Sequence, residues 1–100
     1  MNHMRVTFET TGGLGGLTMT KTIDSDKLPA EQANRLRQLV DASNFFNLPT
    51  AIAYRGPIRD FFHYKLIVES EGKKHTIEVD EPAAPSELKP LIQWLRTFKP

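Results

Sequence analysis

The chain predicts an α+β fold: a four-stranded antiparallel sheet carrying two main helices, in the order ββα-ββα. Three observations lead there. Apolar residues alternate with a period of two in four stretches, and they recur at helical spacing in two others. Glycine-containing turns separate the two strands of each pair.

In the first strand Met4, Val6 and Phe8 point one way and Arg5, Thr7 and Glu9 the other. Residues Leu17 to Ile23 repeat the pattern, with Leu17, Met19 and Ile23 inward and Lys21 as the one polar break. Four glycines between them, at 12, 13, 15 and 16, permit the reversal of a hairpin. A helix is expected from about Pro29 to Ala42, with Ala33, Leu36, Leu39 and Val40 on its apolar stripe. A compact apolar turn, Asn44 to Pro49, ends it, and Thr50 to Asp60 reads as a long irregular loop. Phe62, Tyr64, Leu66 and Val68 then alternate, Glu71-Gly72 turns the chain, and His75, Ile77 and Val79 alternate again. A two-residue loop pairs Val68 with His75, Leu66 with Ile77 and Tyr64 with Val79; a slip of one residue would set these apolar sets against Lys74, Thr76 and Glu78. Leu88, Leu91, Ile92, Leu95 and Phe98 form the stripe of the last helix, which starts near Lys89 because Pro90 is tolerated only in a first turn. Both helices are expected on one face of the sheet.

One hundred residues are the size of one domain. Apolar residues at 39% and charged residues at 25% are ordinary globular usage, and no cysteine offers a disulfide or thiolate site. Met1-Asn2-His3 is expected to be vector-derived, since the cloning sequence CATATG encodes His-Met, which leaves a single domain at 4–100. No apolar run is long enough to span a bilayer or resembles a signal-peptide core, so a cytoplasmic, monomeric protein without membrane contact is expected. A net charge of +1 with interspersed signs lacks the footprint of nucleic-acid binding. A nucleic-acid reading would use Arg5, Arg35, Arg37, Arg55 and Arg59 with strand aromatics, and a domain binding some other protein is the third alternative.

Catalytic chemistry fails on inventory. The glycine run lacks the Lys-Ser/Thr of a phosphate loop and joins two strands, whereas nucleotide motifs open a helix. His75 is expected on the core face and His63 on the outer face of their hairpin, so they do not converge on a metal. The serines sit at turns and helix ends, where hydroxyls cap backbone groups, and Glu78 and Asp80 read as solvated charges. Neither a catalytic group nor a cofactor is expected.

Two segments carry more than folding needs. Leu14, at the tip of Gly12-Gly13-Leu14-Gly15-Gly16, either enters a pocket on a partner or folds back on its own domain. The loop with Tyr54, Arg55, Ile58 and Arg59 either anchors an interface or covers one end of the sheet.

In order and spacing, the chain resembles the emfourin family of inhibitors of thermolysin-like, protealysin-type metallopeptidases. The resemblance rests on Thr11 to Gly16, Leu28-Pro29 with Leu36 and Leu39, Phe45-Phe46-Asn47-Leu48-Pro49, Asp60 to Tyr64, His75 to Val79, and Pro85 to Leu95. The short basic segment Tyr54 to Arg59 departs from it. The resemblance implies a bacterial protein that is not an enzyme and blocks a zinc peptidase without binding zinc. From the two loops themselves, and not residue by residue from the family, Gly12, Gly13, Leu14, Gly15, Gly16, Tyr54, Arg55, Ile58 and Arg59 are the expected contact residues.

Overall fold

A computed structural model describes residues 3–12, 18–57 and 60–99. The strands are β1 (Met4–Gly12), β2 (Thr18–Asp24), β3 (Ala51–Ile52), β4 (Phe62–Ser70) and β5 (Lys73–Asp80); the helices are α1 (Ala30–Ala42) and α2 (Lys89–Thr97). The sheet order is β2-β1-β4-β5-β3. β2, β1, β4 and β5 pair antiparallel, as the alternation requires, but among the described residues the sheet has five strands and is mixed. Within the segment expected to be an irregular loop, Ala51 and Ile52 run parallel to Glu78 and Val79 at the sheet edge. Thr50 adds a carbonyl that accepts the Glu78 N–H at 2.9 Å.

The β4–β5 register is the one the apolar pattern demands: Val68 opposes His75, Leu66 opposes Ile77, and Tyr64 opposes Val79. Its turn places Glu71 at φ 51° and Gly72 at φ 78°, the two left-handed residues of a type I′ hairpin. Glutamate is poorly suited to that conformation and asparagine well suited. Glu71→Asn is therefore expected to raise stability by about 0.5 kcal/mol, measured as a higher urea midpoint at unchanged slope.

Met4, Val6, Phe8, Ile23, Tyr64, Leu66, Val68, Ile77 and Val79 form the inner face of the sheet. Leu36, Leu39 and Val40 of α1 and Leu91, Ile92 and Leu95 of α2, with Leu88 just ahead of α2, close the core. Phe8 and Tyr64 stack at 5.5 Å between ring centroids. Phe45, in a short 3-10 turn after α1, is also buried. His75 donates Nε2–H to the Leu48 carbonyl at 2.8 Å and lies against the rings of Phe45 and Phe46, as an edge-of-core imidazole should. Two serines satisfy buried backbone groups: Ser25 Oγ accepts the Met4 N–H at 2.9 Å, and the Ser43 hydroxyl donates to the Val40 carbonyl at 2.7 Å.

Two inward positions of β2 depart from expectation. Met19 opposes Thr10 on the inner side yet is 64% exposed, because the helix layer does not extend over that end of the hairpin. Lys21 opposes the buried Phe8, and its Nζ donates to the carbonyls of Leu95, Arg96 and Phe98 at 2.9–3.0 Å. The polar break in the strand is thus the cation that caps the C-terminus of α2. Pro29 lies just before α1 and not inside its first turn. Pro90 does occupy the first turn of α2, preceded by a looser turn in which Leu88 and Lys89 N–H groups share the Pro85 carbonyl. No helix among the described residues is long and apolar enough to cross a membrane.

Candidate functional site

The end of the sheet where β1 stops and β4 starts brings together the flanks of both loops singled out in the sequence. Gly12 is the last residue of β1 and pairs with Phe62. Its φ is +106°, and a Cβ there would lie 2.9 Å from the Phe61 carbonyl oxygen. The position needs glycine for two reasons at once: a left-handed backbone and a close approach of the next strand. Gly12→Ala is expected to cost about 1–2 kcal/mol, visible in a denaturant melt.

From Phe61 the contact continues to the second loop. The Phe61 ring meets the Tyr54 ring edge-on at 5.5 Å. Tyr54 is half-buried and lies directly over Gly56, where any Cβ would overlap its phenol, while Arg55 beside it is exposed. The Tyr54 backbone N–H donates to Asp80 Oδ2 at 2.8 Å. Of the nine expected contact residues, then, Gly12, Tyr54 and Arg55 are within the described chain and border one end of the sheet. Gly13, Leu14, Gly15, Gly16, Ile58 and Arg59 lie outside the described residues, as does Leu17.

The polar groups at this end are tied to one another. Phe62 N–H donates to Glu81 Oε1 at 3.3 Å and the Tyr64 hydroxyl to Glu81 Oε2 at 3.4 Å. Arg96 reaches Glu81 at 3.9 Å and lies 5.3 Å above the Phe62 ring. Burial pushes the Tyr64 phenol up, with Arg96 opposing. His63 Nδ1–H donates to Asp80 Oδ1 at 2.7 Å, and Nε2 stands 3.3 Å from Glu78 Oε1. The His63 hydrogen bond is the largest cause of an Asp80 carboxyl held below the usual range, with burial opposing and the Tyr54 N–H adding to it. Asp80 is therefore not the solvated charge expected from strand parity: its side chain is only 17% exposed.

Among the described residues, the arginines of the nucleic-acid reading are not gathered. Arg5 stands on the outer face of the sheet beside Asp24 at 3.7 Å, whereas Arg35 and Arg37 belong to α1, which packs on the inner face. Sequence reasoning missed three residues at this end. Met19 faces inward as its parity predicts, but its exposure goes unseen, although its polar partner Thr10 hints at an open position. Asp80 and Phe61 carry signals only through residues distant in sequence.

The family model for Emfourin matches residues 8–96. The chain belongs to the Emfourin family. The match runs from within β1 nearly to the end of α2 and includes the whole loop end. No curated protein and no solved structure matches the chain. Emfourin is a protease inhibitor family, and membership suggests a metallopeptidase as the partner.

Proposed function

We propose that this protein inhibits a thermolysin-like, protealysin-type zinc metallopeptidase by occluding the active-site cleft with the loop end of its sheet. The observation that carries the reading is the convergence of the two loop flanks: Gly12 abuts Phe61, and Phe61 abuts Tyr54. A partner approaching that end meets the flanks of both loops together, Gly12 on one side and Tyr54 and Arg55 on the other. Leu14, between β1 and β2 in sequence, is of the bulky apolar type such enzymes favour just after the scissile bond. Exposed Arg55 suits acidic groups beside a cleft. Met19 adds exposed apolar surface on the strand leaving the same turn. The sheet, braced by Lys21 and the two helices, supplies the rigid base that lowers the entropic cost of binding.

Titration of a protealysin-type peptidase with micromolar protein tests this. A stoichiometric loss of activity with the inhibitor recovered uncleaved is expected. Full activity across several thermolysin-like enzymes would overturn the reading.

A further inference from the structure

Asp80, at the end of β5, holds two elements at once. Its Oδ2 accepts the Tyr54 N–H at 2.8 Å and its Oδ1 accepts the His63 Nδ1–H at 2.7 Å. The β3–β5 pairing stops at Ile52 opposite Val79, and the Asp80 carboxylate supplies the next acceptor along that line. A side chain thus continues the ladder where the strand has ended, and fixes the start of the 53–57 loop.

His63 opposes Asp80 in the β4–β5 register, and its other ring nitrogen faces Glu78 at 3.3 Å. Only the doubly protonated ring donates to both carboxylates. Of the neighbouring charges, Lys65 opposes Glu78 on β5, and Glu9 opposes Lys65 on β1; the β1 residue opposite His63 is the uncharged Thr11. From the loop side, Tyr54 approaches through its amide on Asp80.

We propose that Asp80, clamped by the charged His63 ring, is a positioning residue that presets the 53–57 loop for its partner, so that binding weakens as the pH rises past neutrality. This rests on the inhibitor reading of that loop. Burial opposes the charge on His63, but the hydrogen bonds and charges of Asp80 and Glu78 outweigh it and raise its pKa. Below the ordinary histidine value of about 6.5 the ring therefore holds both carboxylates; as the pH climbs through the raised folded-state value it keeps a single N–H donor and loses its charge, which loosens the clamp.

The test pairs inhibition constants for a protealysin-type peptidase, from about pH 6 to about pH 8.5, with amide hydrogen exchange at Tyr54. For the unaltered protein, inhibition should weaken about three- to tenfold across that range. Asp80→Asn keeps an oxygen for the Tyr54 N–H but drops the charge, so Tyr54 stays protected while the pH dependence flattens. His63→Gln should flatten it as well. Asp80→Ala should release the Tyr54 amide while Ile77, in the sheet core, stays protected. Identical pH profiles in all four proteins, or a Tyr54 amide indifferent to Asp80→Ala, would overturn the proposal. Failure of the unaltered protein to inhibit would overturn the inhibitor reading and, with it, the binding half of the proposal. That failure is told apart by the Tyr54 amide, which would still respond to Asp80→Ala.

Discussion

Replacing Lys21 with methionine is expected to destabilise the domain by about 2–3 kcal/mol, although lysine inside an apolar strand pattern looks like a defect. Methionine keeps the stem against the core and removes only the ammonium group. Three carbonyls at the end of α2, those of Leu95, Arg96 and Phe98, then lose their shared donor. Hydrogen bonds to a charged donor are stronger than neutral ones, and a cation at a helix C-terminus also meets the negative end of its dipole. For a domain of this size the loss corresponds to a drop in melting temperature of roughly 10–20 °C. Thermal and urea unfolding of the two proteins measure it. A change within about 0.5 kcal/mol, the range of an ordinary surface substitution, would mean that water replaces Lys21 at no cost.

Leu14→Asp is expected to weaken inhibition at least about tenfold, equivalent to about 1.4 kcal/mol, with little change in the melting temperature. A carboxylate forced into an apolar pocket must shed its hydration or stay out, whereas the glycines around it keep the turn permissive. Inhibition constants for the two proteins against one peptidase provide the comparison. Unchanged inhibition would remove Leu14 from the contact surface and shift the weight to Tyr54, Arg55 and Met19.

The second hairpin was legible to the residue because parity and turn length act together. Only one register puts Tyr64, Leu66 and Val68 on the side of Ile77 and Val79, and Glu71-Gly72 closes it. Both helices were legible from their stripes. The strand Ala51–Ile52 was not, since two residues show no period and their pairing is set by Glu78 and Val79, far along the chain. Parity assigned Met19 and Lys21 to the core side correctly, but a pattern does not say how far the helices reach over the sheet. One position was left open and the other turned to a helix end. Asp80 was misjudged for a similar reason. Its partners, His63 and the Tyr54 amide, are 17 and 26 residues away, and only the folded sheet makes them neighbours. At the candidate site the sequence singled out both loops, while their meeting through Phe61 emerged from the fold.

The most direct test of the account is a hydrogen-exchange footprint of this protein alone and saturated with a protealysin-type peptidase. New protection is expected across residues 10–20 and across the loop and start of β4, at 53–63, with the exposed faces of α1 and α2 unchanged. Protection confined to the helices, with the loop end exchanging as in the free protein, would contradict it.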